Sequence, residues 1–204
     1  KIAGVTITNA DRVVFPDCGV TKGDLAAYYE AIAPLMLPHC ADRPLSLVRL
    51  PEGLGGQQFF QKHAGKGFPV QMKTTPVAGE EEPAIYVNAA NGLVAGAQMG
   101  VVEYHIRGVL RDRPDRPDRI VFDLDPGEGV SMRQLCEVAH EVRDLISDIG
   151  LNTFPLTSGS KGLHLYVPLD DPISSRGASV LAKRVALQLE QTMPTKVTAT
   201  MTKS

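Results

Sequence analysis

Apolar positions recur along the chain with two different periods. Leu25, Tyr28, Tyr29 and Ile32 fall at helical spacing behind Thr21-Lys22-Gly23-Asp24. There Thr21 can cap the helix and Asp24 can reach back to it. Pro34 and Pro38 are expected to kink or end that helix. Residues 45–50 read as a strand, Pro51 to Gly56 as a loop, and 73–83 as a polar, solvated loop carrying Glu80-Glu81-Glu82. Strand material returns at 84–87 and 100–106, with a short helix expected at 91–98. A Pro- and charge-rich connector, Arg111 to Arg119, offers a boundary between two lobes. Beyond it the periods are cleaner. Residues 119–124 alternate as a strand. Ser131 to Ile149 carry a capping box (Ser131, Gln134), an apolar stripe of Leu135, Val138, Val142, Leu145 and Ile149, and a closing Gly150. A strand near 152–157, a Gly-rich turn, a strand at 163–168, a helix at about 176–192 and a strand at 196–201 follow. This order predicts an α/β or α+β fold with a mixed sheet. The opening Lys1 to Ile7 reads as a strand cut into midway, as in a fragment of a longer polypeptide.

Composition narrows the classes. A chain of 204 residues suits one domain, or two small lobes sharing a core. With 43% hydrophobic and 22% charged residues it can bury a core, which excludes global disorder. No stretch approaches the ~18 consecutive apolar residues of a membrane span, and the start lacks the apolar run and cleavage site of a signal peptide. Cys18, Cys40 and Cys136 have no ligand spacing and read as free thiols of a reducing cytoplasm. The net charge of −2 excludes a strongly basic nucleic-acid binder, so any DNA contact rests on local patches.

Two segments carry chemistry. In Ile120 to Gly127, strand alternation sends Ile120, Phe122 and Leu124 to one face and Val121, Asp123 and Asp125 to the other. The two carboxylates then sit about 7 Å apart at their Cα atoms, close enough to grip one hard cation. The same residues also read as a solvated strand end with Asp125 opening an Asp-Pro-Gly turn. In Thr157 to His164, small residues let backbone N–H groups approach an anion; Lys161 adds a charge, Ser158 and Ser160 hydroxyls. Alone this is an ordinary Ser/Gly turn with His164 exposed beside it. Together the two segments describe a site for a metal-bound polyphosphate such as a nucleoside triphosphate. Phe59-Phe60, with Lys62, His63 and Lys66 nearby, suits base stacking with phosphate contacts. Equally, one Phe fills the core and its neighbour makes a second contact. His105, and Arg12 and Lys22 near the N-terminus, read as a structural histidine and solvated bases.

At this point the chain resembles the polymerase domain of bacterial DNA ligase D, within the archaeo-eukaryotic primase superfamily. The matching stretches are Asn9 to Pro16, Thr21 to Leu25, Gln58 to His63, Gln98 to His105, Arg116 to Gly127 and Ser158 to His164, in the family's order. The resemblance implies a primase-type fold, a mixed central sheet flanked by helices in two closely packed lobes, over a single domain 1–204. It implies template-directed nucleotide addition, ribonucleotides preferred, at DNA ends held for non-homologous end joining. By that likeness Asp123 and Asp125 bind two Mg²⁺ or Mn²⁺ ions and His105 is the active-site histidine. Ser158, Ser160, Lys161 and His164 hold the triphosphate. Phe59, Phe60 and Lys62 lie near the template, and Arg12 and Lys22 recognise a 5′-phosphate. The expected partners are double-stranded DNA ends with a 5′-phosphate, nucleoside triphosphates, a ligase domain and the Ku end-binding protein, in the bacterial cytoplasm at the nucleoid, with no membrane. Two features depart from the family. Its third metal-binding aspartate lies in a strand just past a segment like Val197 to Ser204, beyond this sequence, with further basic residues. Ile106 and Arg107 stand where Pro and Trp often follow the histidine.

Two rivals stay open on the residues alone. A phosphatase of the haloacid dehalogenase type would use Asp123 as nucleophile, Asp125 as acid and Lys161 as clamp. That class opens its chain with the DxD strand and wants Thr or Ser soon after, where Pro126-Gly127 stand here. A non-catalytic DNA-end-binding module would need no third acid.

Overall fold

The structure, a computed structural model, describes residues 1–77, 79–171 and 173–199. It divides into two compact units, Lys1–Pro114 and Asp115–Ser204. The first unit runs β1 (Val13–Phe15), β2 (Val20–Thr21), α1 (Lys22–Cys40), β3 (Leu45–Arg49), β4 (Phe59–Gln61), β5 (Lys73–Thr75), β6 (Ala84–Tyr86), α2 (Ala90–Gln98) and β7 (Val101–Ile106). Thr21 and Asp24 form the expected capping box at the start of α1. The helix buries Leu25, Ala26, Tyr29, Ala33 and Cys40 in a core shared with Leu93, Val94 and Ala97 of α2 and Leu45 and Leu47 of β3. Each fully buried Leu, Ile or Val contributes about 1.5–3 kcal/mol. Strand β3 organises a five-stranded sheet: β7, β4 and β6 pair with it, and β5 pairs with β6. Tyr29 and Tyr104 meet edge to face, 5.2 Å between ring centres, and donate to the Val102 and Leu93 carbonyls, each at 2.8 Å. Burial raises both phenol pKa values.

The second unit runs β8 (Arg119–Leu124), α3 (Met132–Ser147), β9 (Phe154–Thr157), β10 (Leu163–Pro168) and α4 (Ser175–Thr192). Its sheet has the order β8-β10-β9. Helices α3 and α4 bring Val138, Val142, Ile146, Val185 and Leu189 against Ile120, Leu165 and Val167. Ser131 and Gln134 complete the capping box of α3.

The α+β class stands, with several corrections of detail. Every pairing between named strands is antiparallel, so separate antiparallel sheets replace one mixed sheet. Helix α1 runs through Pro34 and Pro38. Both prolines lie on its exposed side, where water can satisfy the carbonyls that lose their donors. Lys1 to Ile7 is not a strand: Ala3 (φ 45°) and Gly4 (φ 77°) are both left-handed, and Ile2 and Val5 exchange two backbone hydrogen bonds across the turn. That is a primed hairpin turn with almost no strand attached. The polar segment 73–83 begins as β5. Helix α3 ends at Ser147, leaving Ile149 exposed. Of the strand expected at 196–201, residues 196–199 are a turn and irregular chain, and 200–201 lie outside the described residues.

Candidate functional site

In the second unit, β8 alternates as expected: Ile120 is buried, Phe122 and Leu124 join the core, and Val121, Asp123 and Asp125 are exposed. The register of β8 with β10 sets Asp123 opposite His164, and that of β9 with β10 sets Leu156 opposite His164 from the other side. Directly opposed residues of antiparallel strands share a face, and His164 Nε2 lies 3.4 Å from Asp123 Oδ1. Sequence spacing alone does not bring those two residues together; strand pairing does.

The turn between β9 and β10 is closed by one side chain. Ser158 Oγ accepts from Gly162 N and donates to Gly162 O, both at 3.0 Å, while Ser158 N donates to the same carbonyl at 3.2 Å. The Ser158 hydroxyl thus shapes the turn, and Ser160 and Lys161 are its exposed polar side chains. Gly162 is wedged against the end of β8. A Cβ there would sit 2.8 Å from the Leu124 carbonyl oxygen, 3.1 Å from Ser158 Oγ and 3.3 Å from Asp125 Oδ1. Only glycine lets the turn seat beside the carboxylates. Lys161 also lines a cleft of about 580 Å³ with the loop from Pro126 to Val130.

Among the described residues, no group of three or more His, Cys, Asp or Glu side chains is arranged to hold a metal ion. Asp123 and Asp125 do offer hard oxygen donors on one exposed face. That set fits a divalent cation completing its shell with phosphate oxygens and water.

In the first unit the sheet assembles a second group. Val48 of β3 pairs with Phe60 of β4 and Glu103 of β7, while Ser46 pairs with His105. Phe60, Glu103 and His105 therefore share one face. The Phe60 and His105 rings meet at 5.7 Å in a T-shaped arrangement, Lys62 Nζ stands 5.8 Å from the Phe60 ring centre, and His105 Nε2 is 2.7 Å from Glu103 Oε2. Phe59 pairs with Arg49 and belongs to the opposite face. Both phenylalanines are exposed, 41% and 58%, so neither is a core residue. Arg49 pins this hairpin by donating to the Met99 carbonyl (3.1 and 3.0 Å) and to Gln61 Oε1 (2.8 Å); burial lowers its pKa.

Arg12 and Lys22 are not solvated bases. Lys22 is only 3% exposed, and its Nζ donates to the Thr8 carbonyl at 3.0 Å. Burial, and then the charge of Arg12, lower its pKa. Arg12 Nε is buried without a hydrogen-bond partner. A buried donor left unpaired costs about 1–3 kcal/mol unless a ligand meets it. Two neighbouring cations, one with a spare donor, suit an anion.

Sequence reasoning missed Glu103, Arg49 and Glu80. Glu103 was within reach, since a residue two before His105 on a strand shares its face. Glu80 read as solvated, but Arg107 Nη1 donates to its Oε1 at 2.5 Å and holds its carboxyl below the ordinary range, with His63 and Lys62 adding to the effect. Only the folded chain joins residues 27 positions apart.

Comparison with known proteins follows the same lines. The family pattern described as LigD, primase-polymerase domain matches residues 21–204. The multifunctional non-homologous end joining protein LigD of Mycolicibacterium smegmatis is 52% identical over 98% of this chain, covering 27% of its own length. The LigD of Pseudomonas aeruginosa is 34% identical over 97% of this chain and 24% of its own. The chain thus spans about a quarter of the curated relatives it matches. The solved polymerase domain of Mycobacterium tuberculosis ligase D, in complex with DNA, superposes with a TM-score of 0.89 at 50% identity, over 97% of this chain and 72% of that one.

Proposed function

The chain belongs to the LigD primase-polymerase domain family, and from that premise we propose that it adds nucleotides, directed by a template, to DNA ends in non-homologous end joining. The observation that carries the reading is the seating of Gly162 against Leu124 and Asp125, which sets a phosphate-type turn beside a carboxylate pair. Family membership also weighs against the phosphatase alternative. The solved relative holds DNA, which supports DNA as a ligand here.

Asp123 and Asp125 are the proposed ligands of Mn²⁺ or Mg²⁺. Bound there, the ions would act as Lewis acids, lowering the pKa of a primer 3′-hydroxyl and neutralising phosphate charge. The chain's own groups do the rest by position and charge. Lys161, Ser160, His164 and the backbone amides of Gly159 to Lys161 hold the triphosphate in line with the attacking hydroxyl, while Ser158 shapes the turn and His164 stands beside Asp123 from the neighbouring strand. Pyrophosphate is the leaving group, and Lys161 offsets the charge it gains. In the first unit, Phe60 stacks on template bases with Lys62 near the backbone, Phe59 contacts the strand from the other side of the sheet, and His105 serves as an active-site side chain. Arg12 and Lys22 take the 5′-phosphate of the recessed strand. A preference for ribonucleotides, cooperation with a ligase domain and Ku, and a place in the bacterial cytoplasm at the nucleoid complete the proposal.

The test is extension of a labelled primer across a short gap bearing a 5′-phosphate, with Mn²⁺, Mg²⁺ or chelator. Metal-dependent extension that disappears in Asp123→Asn and Asp125→Asn is expected. DNA-end binding without extension under any metal would favour a non-catalytic end-binding module instead.

A further inference from the structure

His105 does not stand alone on its strand. Its Nε2 lies 2.7 Å from Glu103 Oε2, and the Phe60 ring packs across it at 5.7 Å. Carboxylate oxygens only accept, so the hydrogen in this contact belongs to Nε2. A neutral imidazole carries one N–H, and the bond made by one nitrogen sets the role of the other. We infer that Glu103 is a positioning residue: it fixes His105 as the Nε2–H tautomer and leaves Nδ1 as a hydrogen-bond acceptor for a hydroxyl or amino group of the nucleotide or nucleic acid. Phe60 restrains the plane of the ring and Glu103 its rotation, two restraints on a torsion that is otherwise broad. A phosphate oxygen, itself an acceptor, does not match a lone pair presented this way. The link to nucleotide addition rests on the polymerase reading; the hydrogen-bond assignment does not.

The assignment can be read directly. In ¹⁵N-labelled protein at about pH 9, far above the ordinary imidazole range, the ring nitrogens of His105 report the tautomer. His105→Asn identifies the signals. Wild type should show Nε2–H, and Glu103→Gln should keep it, because the amide oxygen still accepts. Glu103→Ala should show a mixture of tautomers. In the primer assay Glu103→Ala should lose about tenfold in kcat/KM, by analogy with the lower end for removing the carboxylate partner of a metal-ligating histidine. Glu103→Gln should retain most of the rate, and Glu103→Ala combined with His105→Ala should be no worse than His105→Ala alone. The inference is overturned by Nδ1–H in the wild type, by an unchanged tautomer in Glu103→Ala, by equal losses in the Gln and Ala variants, or by additive losses in the double variant. Because Glu103 is 59% exposed in its side chain, these variants should fold. If the wild type extends no primer, the polymerase reading fails and the nitrogen signals still decide this one.

Discussion

Replacing Gly162 with alanine probes the centre of the proposed site with one methyl group. The new Cβ would lie 2.8 Å from the Leu124 carbonyl oxygen, 3.1 Å from Ser158 Oγ and 3.3 Å from Asp125 Oδ1. The first neighbour is backbone inside β8 and cannot swing aside. Two responses are open. If the turn stays seated, overpacking costs about 1–3 kcal/mol. If it lifts, the two Ser158–Gly162 side-chain bonds are strained or lost, at about 0.5–1.5 kcal/mol each. Either response lowers stability by about 1–3 kcal/mol and shifts Asp125, Lys161 or both. A misplacement of about 1 Å at reacting groups costs about a hundredfold in rate. The urea midpoint, Mn²⁺ affinity by calorimetry, and kcat/KM for extension should therefore all fall. Gly159→Ala is the control. Its φ of +88° strains any side chain, but a Cβ there meets nothing within 4 Å. It should cost stability, about 1–2 kcal/mol, while leaving Mn²⁺ affinity intact. An unchanged midpoint and unchanged Mn²⁺ affinity in Gly162→Ala would refute the seating of the turn on β8.

Other outcomes test other parts of the molecule. Lys161→Ala should weaken nucleotide binding by about 1.5–3 kcal/mol and leave DNA binding alone; equal loss of both would make it a general electrostatic residue. Phe60→Ala should cost a single-stranded template about 1–3 kcal/mol of affinity, and an unchanged titration by anisotropy would remove the stacking role. Burial and Arg12 lower the Lys22 pKa below 10.5, so the folded chain binds fewer protons than the unfolded one between the lowered value and 10.5. Stability should rise with pH across that window, and Lys22→Met should abolish the rise; a wild-type urea midpoint that is flat or falling there would contradict it. The preference for a 5′-phosphate over a 5′-hydroxyl end should fade over the same range as Lys22 loses its charge.

Local rules made much of this fold legible. Strand β8 lies at the residues where alternation placed it, because Ile120, Phe122 and Leu124 have one core to face. The helices with capping boxes start where Thr21 and Ser131 say they do. What failed was whatever long-range context overrides. Pro34 and Pro38 break isolated helices, yet α1 is held by a buried face that neither touches. Lys22 looked like a surface base because sequence does not reveal that the Thr8 carbonyl waits for it. The carboxylate pair was visible within one strand, whereas its histidine neighbour comes from β10 through pairing register. The Glu103–His105 contact was readable in principle, since both residues sit two apart on a single strand.

The clasp around Lys22 also says where this fold tolerates being cut. Besides the Nζ contact to Thr8, Lys22 N donates to the Arg12 carbonyl and Gly23 N to that of Ala10, while Gln98 exchanges two hydrogen bonds with Thr8. Val5 and Val14 from the same stretch are in the core. A polypeptide shortened to begin at Thr21 would keep the first helix and its cap, yet lose the carbonyl that Lys22 Nζ donates to and open the apolar floor beneath it. For anyone dissecting this molecule into parts, the first twenty residues are a piece of the scaffold rather than a removable leader-in, and a version lacking them is expected to be the less soluble one.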